Sequence, residues 1–214
     1  MSHLLAPIAE WIREVVEGLG YAGIAFLIVL ENLVPPIPSE LVLPFAGYLI
    51  DRGVYSPVGV FTAATTGSLV GALILYGLGA WFGEDRVRAF VRRFGRWLFL
   101  READVDRAEK WFIRHGAKAV LFGRLVPVVR SLVSLPAGVA RMPLLPFVLF
   151  TAVGSGAWNA ILIGLGWYLG TRWETVLEYI SLLEYATIAL IALFVLRFVW
   201  RRVKARRLSR SRTA

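Results

Sequence analysis

Cysteine is absent from the 214 residues, so disulfides and thiolate metal centres are excluded. Histidine occurs only as His3 and His115, too few for a histidine-rich metal site or a histidine-dependent phosphatase, and neither a metal nor a cofactor is expected. Charge is scarce as well. Charged residues make up 18% of the chain, below the quarter or so usual in soluble domains, whereas 57% of residues are hydrophobic and the mean hydropathy is +0.65. That balance describes an all-α integral membrane protein. The first twenty residues lack a basic stretch and a small-residue cleavage site, so they do not read as a signal peptide. Ile8, Ile12 and Val16 recur at helical spacing, as do Trp11, Val15 and Leu19, and with Glu10, Glu14 and Glu17 they predict an interfacial helix over 1–20.

What the chain does have is two interrupted apolar stretches. In the first, over 21–50, Tyr21 to Leu30 and Leu41 to Ile50 flank Pro35, Pro36 and Pro38 together with Glu31 and Glu40. Proline removes backbone hydrogen bonds and clashes with the preceding turn, so no helix passes through intact. Each arm has roughly ten residues, about 15 Å of helix against a hydrocarbon core of about 30 Å, which predicts a re-entrant hairpin. The second stretch, over 119–140, is broken at Pro127 and Pro136 and carries Arg124 and Arg130. Uncharged runs after each hairpin predict transmembrane helices over 57–83 and 143–170, and a last span is predicted over 182–200. Between the two units, residues 84–118 hold ten Lys/Arg and six Asp/Glu interleaved with aromatics, the pattern of amphipathic helices on a bilayer surface and not of a nucleic-acid site. Residues 201–214 form a basic cytoplasmic tail, and 1–200 form a single membrane domain. Gly67 and Gly71, and again Gly79 and Gly83, are four apart and permit close helix contact, within the chain or in a homodimer.

The two units match in order. Leu33-Val34-Pro35 corresponds to Leu125-Val126-Pro127, Ala46-Gly47 to Ala137-Gly138, Phe61-Thr62-Ala63 to Phe150-Thr151-Ala152, and Gly77-Leu78-Gly79 to Gly164-Leu165-Gly166. A non-crossing hairpin plus one crossing helix, repeated, starts the second copy on the opposite face and makes an inverted repeat. The basic residues agree with this topology. Ten Lys/Arg in 84–118 and eight from Arg197 to Arg212 fall inside, one falls in the external link, and the N-terminus is outside.

Glu31, Glu40, Arg124 and Arg130 are the ionisable residues placed at membrane depth, where each costs about 2.5 to 3.5 kcal/mol or more unless it meets a partner, a cavity or a ligand. Hairpins entering from opposite faces bring these acids and arginines together near the midplane. A structural ion-pair cluster is one reading. The other is an anion site, because two guanidiniums offer more donors than the acids require in forks suited to phosphate, while a poorly hydrated carboxylate can exchange a proton. Asn32, Ser39, Ser131 and Asn159 are the supporting hydrogen-bonding candidates.

Glu31-Asn32, Pro35-Pro36 and Pro38-Ser39-Glu40, followed by Phe122-Gly123-Arg124, Pro127, Arg130-Ser131, Ala137-Gly138, Met142 and Phe147, resemble the paired signatures of the DedA family of bacterial membrane proteins. The resemblance spans about Gly20 to Gly170. It implies a lipid transporter, not an enzyme, in the bacterial cytoplasmic membrane, with undecaprenyl phosphate as substrate and protons as the coupling ion. Carried over, Arg124 and Arg130 bind the phosphate headgroup while Glu31 and Glu40 couple protons. Ser39-Glu40 stands where some members have Gly-Asp, so the carboxylate carries over more safely than its geometry. The alternatives are a proton-coupled small-cation antiporter, a phospholipid flippase or scramblase, a lipid-phosphate enzyme, and a scaffold.

Overall fold

The computed structural model describes residues 2–33, 39–98, 102–126 and 129–170, and the single positions 193 and 197. The breaks expected at Pro35, Pro36, Pro38 and Pro127 lie outside the described residues, as do the tail over 201–214 and all but two positions of the last predicted span. Regular structure among the described residues is entirely helical: α1 (Ser2–Leu33), α2 (Ser39–Asp51), α3 (Pro57–Leu98), α4 (Glu102–Gly123), α5 (Val129–Leu132), α6 (Ser134–Val139) and α7 (Leu144–Leu169). Two of these are long and apolar enough to cross a bilayer, α3 over Pro57–Arg93 and α7 over its full 26 residues. Large apolar side chains such as Phe26, Leu78, Val153 and Ile161 point outward, as suits a hydrocarbon solvent.

The helices bend where glycine allows it. Gly20 (φ 61, ψ −135) separates the glutamate-bearing start of α1 from its apolar arm, and the Tyr55 hydroxyl donates to the Val16 carbonyl one turn earlier at 2.8 Å. Gly83 (φ 67, ψ 170) marks the corresponding change in α3, where the apolar part gives way to a basic arm. Beyond it Arg88 pairs with Glu84 on its own helix and with Asp106 of α4 at 2.6 Å. Gly83 thus serves as a kink, and a side chain built there would meet nothing within 4 Å among the described residues.

α2 and α6 end in the same way. Gly53 (φ 72) follows α2, with its N–H donating to Ile50 O and that of Val54 to Leu49 O, each at 2.9 Å. After α6 the left-handed position belongs to Arg141 (φ 48), with its N–H on Gly138 O at 2.9 Å and that of Met142 on Ala137 O at 3.0 Å. Both are Schellman caps.

Packing crosses between the two halves of the chain. α1 lies on α3 and α4 on α7, but α2 seats against α7 and α6 against α3. Glycines make these seats. A Cβ at Gly47 would overlap the Ile163 carbonyl, and one at Gly166 the Pro44 carbonyl; across the molecule, Gly138 faces the Tyr76 carbonyl and Gly79 the Leu135 carbonyl in the same manner. In α1, Ala25 and Asn32 approach Gly67 and Gly71. Lipid tails are as apolar as leucine, so helix association in a bilayer depends on such close packing more than on apolar burial. Gly67, Gly71 and Gly79 are used inside one chain, and they therefore supply no argument for a homodimer.

Two apolar clusters fill the interior. Ile24, Leu27, Val42, Leu43 and Leu162 join α1, α2 and α7, while Ala72, Val120, Ala137 and Phe147 join α3, α4, α6 and α7. A layer of polar side chains lies among the helices that form them.

Candidate functional site

The polar layer draws on α1, α2, α3, α5, α6 and α7 and on the residue that directly follows α4. Glu31 and Asn32 occupy the last turn of α1 and Glu40 the first turn of α2, so the broken stretch brings two carboxylates to one place from opposite ends of two helices. A carboxylate near a helix N-terminus is favoured by the helix dipole and one near a C-terminus is opposed by it, so Glu31 depends more on a cationic partner than Glu40 does. Arg130 of α5 supplies that partner. It donates through Nη2 to Glu31 and to Glu40 Oε1, the latter at 3.1 Å, with all three side chains largely buried. Its guanidinium carbon also lies 5.6 Å from the centroid of the Trp158 ring.

Arg124 is held differently. It follows directly on α4, its N–H still bonded to Val120 O at 3.0 Å, so its cation sits at the negative end of that helix. At 2% exposure it is the most deeply buried charge of the cluster. Its partners are neutral: Nη1 donates to Asn32 Oδ1 at 3.2 Å and Nη2 to Ser134 Oγ at 2.6 Å, while Nε has no partner. Asn32 is fixed from the other side by its own Nδ2, which donates to Ile28 O at 2.9 Å. The close approach of Gly154 on α7 leaves room for the Arg124 stem, because a Cβ there would lie 2.7 Å from Arg124 Cβ.

Glu31, Asn32, Arg124, Arg130, Trp158 and Asn159 line a cavity of about 10 Å³, with Ser68 and Ser155 completing its wall. That volume matches one water molecule, so the site is closed to a phosphate in this conformation. Asn159 faces α3, with Nδ2 at 3.3 Å from Ser68 Oγ and 3.5 Å from Thr65 Oγ1.

All four predicted ionisable residues therefore come together, along with Asn32 and Asn159. Ser131 does not join them by a hydrogen bond: it is half-buried on α5. The side chain of Ser39 lies outside the described residues. Pro44 and Pro136 are carried inside α2 and α6, so Pro136 marks no chain break. Ser68, Ser134, Ser155 and Trp158 were not anticipated, although Trp158 adjoins Asn159 and each serine interrupts an apolar run. Among the described residues no three His, Asp or Glu side chains converge as a metal site, and His115 is a half-buried residue whose Nδ1 lies 3.2 Å from Trp111 O.

A chain with two apolar spans and a buried four-charge cluster between helix ends has the character of a membrane protein. The VTT-domain profile matches residues 15–168, and the protein belongs to this family, the DedA family. Among curated relatives, undecaprenyl phosphate transporter A of Staphylococcus aureus (strain NCTC 8325 / PS 47) is 35% identical over 199 residues, covering 91% of this chain and 98% of that one. Undecaprenyl phosphate transporter A of Bacillus subtilis (strain 168) is also 35% identical, over 82% of this chain and 83% of its own. An alkaline phosphatase-like protein of Lactococcus lactis subsp. cremoris (strain MG1363) is 43% identical over 78% of each chain. No solved structure matches the chain. The protein is thus a bacterial membrane protein of the DedA family, with transporters among its relatives.

Proposed function

We propose that the protein carries undecaprenyl phosphate from the outer to the inner leaflet of the cytoplasmic membrane, exchanging protons at Glu31 and Glu40 as its headgroup site alternates between faces. The carrying observation is the shared guanidinium of Arg130, engaged by both carboxylates beside an Arg124 that has no carboxylate partner. A phosphate competes with the two carboxylates for the same donors. Protonating either acid weakens its hold on Arg130, so proton uptake and phosphate capture favour one another. With the acids ionised the cluster closes on itself, as in this conformation; with them protonated, Arg124 and Arg130 present two positive charges to an entering headgroup. The prenyl tail stays in the bilayer throughout.

The layout behind this reading is an inverted repeat of re-entrant hairpin plus crossing helix. Its support is the reciprocal seating of Gly47 on α7 and Gly138 on α3, together with the matched caps of α2 and α6. The N-terminus then lies outside, and the basic middle segment and C-terminal tail lie inside. The proposed function is transport and not catalysis, since the buried cluster offers anion donors and proton acceptors suited to holding and releasing a headgroup.

Reconstitution in vesicles containing undecaprenyl phosphate tests the reading. Wild type should move the lipid between leaflets without releasing inorganic phosphate, R124A/R130A should lose at least about tenfold in rate, and E31Q should blunt the response to a pH gradient. Equal transport by wild type and R124A/R130A overturns it. Proton flux without lipid movement favours the antiporter, and released phosphate favours an enzyme.

A further inference from the structure

Trp158 stands apart from the other described tryptophans. Trp11, Trp81, Trp111 and Trp167 are exposed, whereas Trp158 is 8% exposed. It follows Leu144 by 14 residues and precedes Leu169 by 11, which puts it close to the middle of α7. Tryptophan gathers at the wet ends of membrane spans because its N–H calls for a hydrogen-bond partner. At the centre of this span, Trp158 Nε1 is completely buried and has none among the described residues.

Arg124 Nε is in the same condition, and both side chains line the same cavity. Each atom can donate and cannot accept. Neighbouring donors are already engaged, with the terminal nitrogens of Arg124 on Asn32 and Ser134, Asn159 Nδ2 on α3, and Arg130 on the two acids. Such orphaned donors are uncommon in native interiors and call for a group that supplies acceptors. A structural water fits the present volume and can accept from one of these donors; a larger acceptor enters only when the acids release Arg130. An oxyanion brings acceptors alone.

We propose that Trp158 is a headgroup-binding and specificity-determining residue, whose indole N–H donates, together with Arg124 Nε, to the oxygens of a phosphate monoester. This rests on the phosphate-lipid reading above and deepens it. A monoester has three non-bridging oxygens, one for each of Trp158 Nε1, Arg124 Nε and the Arg130 guanidinium once the acids release it. A phosphodiester has two and carries less negative charge, so the same three donors must share two oxygens. Once the acids release Arg130 and the cluster opens, the site therefore favours lipid monophosphates over ordinary diester phospholipids, because the more highly charged headgroup gains more from charged donors at separate oxygens.

The test is binding by the full-length, detergent-solubilised protein, with undecaprenyl phosphate and phosphatidylglycerol as the two probes and W158F as the variant that keeps an aromatic ring but loses the N–H. W158F should retain or exceed the wild-type melting temperature without lipid. It should bind undecaprenyl phosphate about tenfold more weakly, change little toward phosphatidylglycerol, and so narrow the preference between the two. W158H, which restores a ring N–H, should recover part of that preference, and W167F, at an exposed position of the same helix, should leave it unchanged. A W158F protein with the wild-type preference overturns the inference. So does one that melts earlier and loses both lipids equally, since that is the signature of packing alone. If W158F does not fold, W158H decides by whether it prefers the monoester. A wild type that binds neither lipid overturns the phosphate-lipid reading itself, a result distinct from any difference between variants.

Discussion

Arg130 serves two carboxylates while Arg124 serves none, and this asymmetry sets what each substitution should do. Removing Arg130 leaves Glu31 and Glu40 buried together without a hydrogen-bonded cation, and breaking a buried pair in this way costs about 3–5 kcal/mol. R130A should therefore unfold at markedly lower temperature than E31Q, which keeps an acceptor facing Arg130 and leaves Glu40 to pair with it. Adding E31Q to R130A removes one of the two stranded charges and should restore part of the loss, a non-additivity measurable in a double-mutant cycle by thermal unfolding. These four residues were legible in the sequence because a charge inside an apolar stretch is too costly to lack a partner. Ser68, Thr65 and Ser134 were not, since a serine or threonine in an apolar helix can satisfy itself on a carbonyl of its own preceding turn. Thr62 does this on Val58. Nothing in sequence spacing separates such a residue from Ser134, which instead accepts from an arginine ten positions away.

Among the helices, glycine has two distinct uses that sequence spacing does not tell apart. Gly138 and Gly77 both interrupt apolar runs, yet a Cβ at Gly138 would run into the Tyr76 carbonyl while one at Gly77 would meet nothing within 4 Å. G138A should accordingly destabilise by about 1–3 kcal/mol, because helix backbone must move to admit the methyl group. G77A should be neutral or stabilise by up to about 1 kcal/mol through helix propensity. Thermal unfolding of the two variants in one detergent checks the contrast. At the end of α6 the preference reverses. Arg141 occupies a left-handed position that its counterpart Gly53 adopts without strain, and R141G should raise stability by about 0.5–1 kcal/mol. The apolar arms and their proline breaks could be read from composition. The bends at Gly20 and Gly83 could not, because in a membrane sequence glycine is as often a contact as a hinge.

Taken together, the helices give a molecule whose halves interlock. Proximal arms stay with their own half and distal arms cross to the other, so neither half completes a core by itself. The proposed topology is open to measurement, and the absence of native cysteine makes it simple. Single cysteines at Lys110 and Ala205 should react with an impermeant thiol reagent from the cytoplasmic side, and one at Ser181 from the outside; labelling of positions 110 and 205 from opposite faces would overturn the inverted repeat. Interlocking also has a consequence for how the protein is made. When α6 emerges from the ribosome its seat on α3 already exists, but Gly47 of α2 is synthesised 116 residues before Ile163, its contact on α7. At translation rates of about 5–20 residues per second, the first distal arm waits roughly 6 to 23 seconds with its packing face uncovered. The nascent chain is therefore most exposed to membrane proteases and most in need of an insertase during that interval, and a ribosome that stalls before α5 leaves behind a half-protein whose two carboxylates have no Arg130 to pair with.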